Sequence, residues 1–222
     1  MQSGYFHYWG TNMDGLMMFL ARIALVAPAF LVAVAVHEYA HGLVAYWLGD
    51  DTAEKMGRLT LNPFRHLDLL GTAMLFLVGV GWAKPVMFDD RNFKYPRIFS
   101  LLVAYAGPLA NFLTAALFIC LIKLLSFISL DPLLMISIHQ VLDAVVTINI
   151  MLGIFNLIPI PPLDGSHLIR VMMPSKWLPY YYSIAQLSIF LWIVLLMTSS
   201  TRMIFEHSVM GVRAWLEHIL LG

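Results

Sequence analysis

The sequence predicts an all-α integral membrane protein with about four transmembrane helices, a re-entrant or membrane-surface hairpin after the first, and an interfacial C-terminal helix. Three observations predict it. Of 222 residues, 60% are hydrophobic and 12% charged, and the mean hydropathy is +0.80, far above an ordinary soluble domain of this length. Four stretches reach the roughly 20 apolar residues that a helix needs to cross a bilayer core. Lysine and arginine gather in the connections between them.

The first stretch runs from about Leu16 to Leu48 and is long enough to span with tilt or to extend past the membrane, with Arg22 near its start, where it can snorkel. The segment before it, "MQSGYFHYWGTNMDG", lacks a basic n-region and a small-residue cleavage site, so the first apolar run is expected to stay in the protein. A shorter apolar piece, Leu69 to Val86, contains Gly71, Gly79 and Gly81 and makes a poor spanning helix. It suits a hairpin, allowed at membrane depth where protein or water satisfies its backbone. The second, third and fourth spans are expected at about Ile98 to Phe127, Leu133 to Leu157 and Tyr180 to Thr198. Trp177, Tyr180, Tyr181 and Tyr182 fit an aromatic belt. The tail from Arg202 to Leu221 mixes Arg202, Glu206, His207, Arg213, Glu217 and His218 with apolar residues and reads as an interfacial helix. No repeat or linker stands out, so residues 1–222 are expected to form a single domain.

The connection from about residue 49 to 97 holds Lys55, Arg58, Arg65, Lys84, Arg91, Lys94 and Arg97 and is expected on the cytoplasmic side, with both chain ends outside. Net charge is zero and no basic patch appears, which excludes a nucleic-acid binder. Cys120 is the single cysteine, so there is no disulfide framework or CxxC site, and any metal must use His, Asp or Glu.

Such donors occur in "AVAVHEYAHGLVAYWLG", residues 33 to 49. His37, Glu38 and His41 are expensive to bury, yet they interrupt an apolar span. On a helix, residues four apart share a face, so His37 and His41 can point at one metal ion while Glu38 reaches toward a metal-bound water. Chance would place this HExxH pattern in about one chain in 200 of this composition. A catalytic zinc needs a third protein ligand and an open fourth position. The paired histidines lie toward the cytoplasmic end of the first span, so the third donor should lie at that end of another. The third span ends there in "NLIPIPPLDGSHL", whose one carboxylate, Asp164, is the expected ligand, with His167 as the alternative donor. His139 and Asp143 are also one helical turn apart, but lie about 20 Å along the helix from Asn156 and cannot join the same metal.

"HEYAHG", "AGPLANF" (Ala106 to Phe112) and "NLIPIPPLDG" together resemble the site-2 protease family of intramembrane zinc metalloproteases. "GRLTLNPFRHLDLLGT" (Gly57 to Thr72) and "GWAKPV" (Gly81 to Val86) resemble its compact branch without PDZ or CBS domains. The resemblance implies that His37, His41 and Asp164 bind one zinc ion per chain, that Glu38 is the general base, that Asn156 stabilises the reacting carbonyl, and that Asn111 lies near the active site. The implied activity is cleavage of single-span membrane proteins near the cytoplasmic face of a prokaryotic cell (inner) membrane, as in regulated intramembrane proteolysis, with the lipid bilayer as the other partner. A transmembrane substrate must unwind before it is cut, and an extended segment could pair with a strand edge, for which the Thr72 to Trp82 piece is the candidate. The competing readings are a metal transporter, whose donors should line a path across the membrane, and a catalytically silent membrane chaperone.

Overall fold

A computed structural model of the protein describes residues 13–78 and 82–222. The described residues are almost entirely helical: α1 (Met13–Trp47), α2 (Thr52–Lys55), α3 (Leu69–Val78), α4 (Pro96–Leu125), α5 (Pro132–Leu157), α6 (Ser166–Met172), α7 (Leu178–Met197) and α8 (Ser199–Leu221). Three of them, α1 from Ile23 on, α4 and α5, are long and apolar enough to cross a membrane. With the composition, they make this a membrane protein.

The ends of these helices follow local chemistry. α4 and α5 each begin with proline, whose missing N–H costs nothing in a first turn. Asp131 caps α5, its carboxylate accepting from the backbone N–H of Leu133 and Leu134 at 3.0 and 3.1 Å. α5 stops before Pro159, since the residue preceding proline is pushed into the extended region, and Ile158 has φ −65° and ψ 127°.

α1, α4 and α5 pack together as the core. Small residues let the backbones approach: Ala29 and Ala33 of α1 are fully buried against Val145 and Ile148 of α5, with Phe118 of α4 beside them. The outer face of α4 instead presents Leu102, Leu109, Leu113 and Leu117, all exposed and apolar, as a surface solvated by lipid requires.

One expectation meets a different outcome. Leu69–Val78 is an α-helix, so residues 72–78 offer no strand edge; the run "LLGTAMLFLV" is rich in Leu, Ala and Met, which favour helix. Residues 79–81 of the expected hairpin lie outside the described residues, and from Trp82 the chain is extended, bridged to the preceding loop at Leu67 and Ala83. The fourth apolar stretch folds as α7, which is not among the three helices that qualify as spans. The tail is helical as expected, and α8 packs on the bundle. Val209 is buried among Ala115 and Ile119 of α4 and Val146 and Ile150 of α5, since the α8 face carrying Phe205, Val209, Val212 and Leu216 is apolar throughout.

Candidate metal centre

His37 and His41 stand one turn apart on α1, each under a tenth exposed, with their Nε2 atoms 3.0 Å apart. Asp164, in the loop between α5 and α6, places Oδ2 3.1 Å from His37 Nε2 and 3.3 Å from His41 Nε2. Two atoms bound tetrahedrally to one zinc ion at 2.0–2.1 Å lie roughly 3.3 Å apart, so the three separations suit a common cation.

The hydrogen bonds behind the ligands say more than the distances. His41 Nδ1 lies 2.7 Å from the carbonyl oxygen of Val103, which can only accept, so Nδ1 carries the proton. His37 Nδ1 lies 2.7 Å from Asn111 Oδ1. The orientation of that amide is set by its Nδ2, which donates to the Ala33 carbonyl at 3.0 Å and to Asn149 Oδ1 at 2.9 Å; Asn149 Nδ2 in turn donates to the Val145 carbonyl at 2.8 Å. Asn111 Oδ1 is therefore an acceptor and His37 Nδ1 a donor. With Nδ1 committed as a donor on both rings, the two Nε2 atoms are the ones left to face Asp164 Oδ2. Positive charge among these three atoms, whether a proton or a metal ion, relieves their mutual repulsion, and deprotonated Nε2 lone pairs are what a metal ion would bind.

Space for the rings comes from α4. A Cβ on Gly107 would lie 2.5 Å from His41 Nε2 and 2.7 Å from His37 Cε1, so only glycine fits where "AGPLANF" crosses α1. The Asp164 arm has an equivalent close approach: a Cβ on Gly165 would lie 2.3 Å from the Leu157 carbonyl oxygen, and the Gly165 N–H instead donates to the Asn156 carbonyl at 2.6 Å. α7 braces this arm, Ser188 Oγ donating to Pro161 O at 2.5 Å and Tyr181 to Ser166 O at 3.2 Å.

Glu38 is buried on the same turn as the histidines, and its Oε2 accepts from the backbone N–H of Val86 at 2.7 Å. "GWAKPV" thus anchors an extended strip of chain against Glu38. Asn156 is half-buried near the end of α5; its Nδ2 donates to Leu152 O at 3.0 Å, and it makes no bond to His37, His41 or Asp164. His167 stays out of the cluster, and burial and then the neighbouring Arg170 push its pKa down, which leaves the ring neutral at pH 7. Asp143 pairs with Arg213 at 2.5 Å.

Sequence reasoning passed over Asn149, Gly107 as a ring-clearing residue, and the Val86 N–H. Asn149 was signalled: an amide in mid-span is expensive unless partnered. The backbone partners carry no side-chain signature.

The family model of peptidase family M50 matches residues 25–129 and 127–199. The chain is 40% identical over 157 residues to "Putative zinc metalloprotease YwhC" of Bacillus subtilis, covering 70% of this chain and 72% of that one. It is 33% identical over 150 residues to "Putative zinc metalloprotease Rip2" of Mycobacterium tuberculosis, covering 64% of this chain and 54% of the relative. It is also 28% identical over 154 residues to "Zinc metalloprotease MJ0392" of Methanocaldococcus jannaschii, covering 69% of this chain and 36% of that protein. No solved structure gives a significant match. His37, His41, the ring-clearing Gly107 and Asp164 all lie within the matched residues, and the chain belongs to peptidase family M50.

Proposed function

We propose that the protein is an intramembrane zinc endopeptidase that hydrolyses peptide bonds of single-span membrane proteins near the cytoplasmic face of a prokaryotic cell membrane. The observation that carries this reading is the convergence of His37 Nε2, His41 Nε2 and Asp164 Oδ2 within 3.3 Å, beside a buried glutamate that is not part of the cluster. A purely structural site would close all four positions with protein ligands, whereas three donors leave one for reaction.

Zinc held there would act as a Lewis acid, polarising the scissile carbonyl and making water nucleophilic near neutral pH. Glu38 takes the proton from the attacking water and returns it to the leaving amine. Val86 N–H fixes Oε2 and leaves Oε1 to carry that proton. Asn156 uses one amide N–H on Leu152 O and has a second for the developing oxyanion, a contact whose loss costs on the order of 10² to 10³ in rate. The Asn111–Asn149 pair holds His37 in the tautomer that presents Nε2.

The cytoplasmic orientation rests on the lysines and arginines between α1 and α4, and α7 is read as a fourth span with α3 as a short re-entrant or surface helix. The extended strip from Trp82, rather than residues 72–78, then offers backbone to an unwound substrate. Incubating purified protein with a single-span substrate, with and without a zinc chelator, beside Glu38→Gln tests the reading. The chelator and the mutation should each abolish cleavage, with zinc retained in the mutant. A Glu38→Gln protein that cuts as fast as the parent contradicts it.

A further inference from the structure

The three proposed ligands stand on two separate supports. His37 and His41 belong to α1 and are fixed by α4, through Asn111 Oδ1 and the Val103 carbonyl. Asp164 belongs to the arm after α5, whose bonds to the Asn156 carbonyl, Ser188 and Tyr181 run to α5 and α7 instead. Freedom between two supports has to be frozen when a metal binds, which weakens binding, so a strut that joins them beforehand strengthens it.

Such a strut is present: Arg170 Nη2 of α6 donates to Asp90 Oδ2, in the connection between α1 and α4. At its arm end, the Asp164 carbonyl accepts from the His167 N–H at 3.0 Å and the Gly165 carbonyl from the Leu168 N–H at 3.1 Å. The third ligand is thereby hydrogen-bonded into the first turn of α6, and Arg170 lies one turn beyond Ser166 on that helix. Displacing Arg170 displaces Asp164. At the other end, Asp90 opens a single 3₁₀ turn, Asp90–Asn92, bracketed by Phe88 and Phe93. The two rings stack at 5.8 Å, and Phe93 is buried with Ala45 of α1 and Val103 of α4. Val103 is the residue whose carbonyl fixes His41. Asp90 is thus seated on the support that holds the histidines and Arg170 on the arm that holds the aspartate.

We propose that the Asp90–Arg170 ion pair is a positioning strut that holds the Asp164 arm against α1 and so sets the affinity of the site for zinc. The proposal deepens the metal centre described above and rests on that reading. Neither side chain belongs to the ligand cluster, and both act through Asp164. The two side chains are 28% and 35% exposed, so the expected effect is that of a partly solvated pair.

The test is the zinc affinity of the purified full chain in maltoside micelles, measured by competition with a chromophoric chelator, beside thermal unfolding of the zinc-free protein. Arg170→Gln and Asp90→Asn should each weaken zinc about 5-fold, the upper range for a partly exposed ion pair. The double variant should be no weaker than either single one, since the same interaction is lost in all three. Arg170→Lys should stay within about 2-fold of the parent, because the contact is made through Nη2 and an ammonium can take its place. A merely structural pair would lower the unfolding temperature and leave the zinc affinity of the folded protein alone. Parent affinity in both single variants, losses that add in the double variant, or an Arg170→Lys protein as weak as Arg170→Gln overturns the proposal. A parent that binds no zinc sinks the metal centre itself, whereas a parent that binds zinc no tighter than its variants fails the strut alone, so the two failures are distinguishable.

Discussion

Two places in this molecule set a carboxylate beside another polar group across the bundle, and they resolve its charge differently. Midway along α5, Asp143 has the guanidinium of Arg213 from α8 at 2.5 Å, and Arg213 also reaches Glu217 at 2.8 Å. Past the C-terminal end of α5, Asp164 has two imidazoles at 3.1 and 3.3 Å and, among the described residues, no arginine or lysine paired with it. The spacing of four residues that sets His37 beside His41 recurs at His139 and Asp143, yet there the protein supplies its own cation to the acid. Spacing therefore identifies donors, and only the surrounding charge says whether a metal is wanted. A third carboxylate, Asp50, makes the contrast sharper. It is fully buried and satisfied by donors alone: Thr52 Oγ1 at 2.5 Å, Asn92 Nδ2 at 2.7 Å and the Asp89 N–H at 2.9 Å.

Substitutions at four positions break or sharpen that comparison. Gly107→Val should have the largest effect, because its side chain enters the volume of both imidazoles; zinc affinity, measured by competition with a chromophoric chelator, should fall at least about 100-fold. Asn149→Leu removes the far end of the amide relay at near-constant volume and should weaken zinc about 10-fold, while Asn149→Asp, protonated at that depth, keeps one donor and one acceptor and should restore it. Equal affinity in parent and Leu variant would show that the relay does not orient His37.

Asp50→Asn should cost about 1–3 kcal/mol of stability at pH 7 with zinc affinity unchanged. Burial alone would raise the Asp50 pKa, but hydrogen bonds from Thr52, Asn92 and Asp89 outweigh it and lower the value. A lowered folded-state pKa contributes stability that is present above the unfolded value, about 3.9, and is lost as pH falls through the folded one. The gap between parent and Asp50→Asn in thermal unfolding should accordingly close below about pH 4. The smallest effect is expected for Arg213→Gln, since the pair it breaks is partly exposed: about 1 kcal/mol or less, with zinc binding untouched. A loss of zinc in that variant would mean the middle of α5 is coupled to the arm past its C-terminal end.

How much of this was legible in the sequence follows from which interactions leave a chemical trace. The spans at α1, α4 and α5 were readable because lipid demands long apolar runs, and His37, Glu38, His41 and Asp164 because ionisable groups inside such runs are conspicuous. The strand edge expected within residues 72–78 gave way to helix because the glycines of the segment were weighed above the helix-forming Leu, Ala and Met around them. The helical tail was readable from its mixed polar and apolar pattern, but which face of α4 and α5 receives Val209 and its apolar neighbours was not. Asn156 illustrates a further limit: its position at the end of α5 was readable, but the bond of its amide back to Leu152 depends on a rotamer that sequence does not encode.

The central claim is that a carboxylate from the arm past α5 joins two imidazoles of α1 on one zinc ion. Equilibrium dialysis of parent and Asp164→Ala protein against buffered zinc, with content read by atomic absorption, tests it most directly. The parent should hold one zinc per chain, and the variant should lose affinity about 100-fold or more, well past what a supporting residue commands. Equal zinc content and affinity in the two proteins would contradict the account.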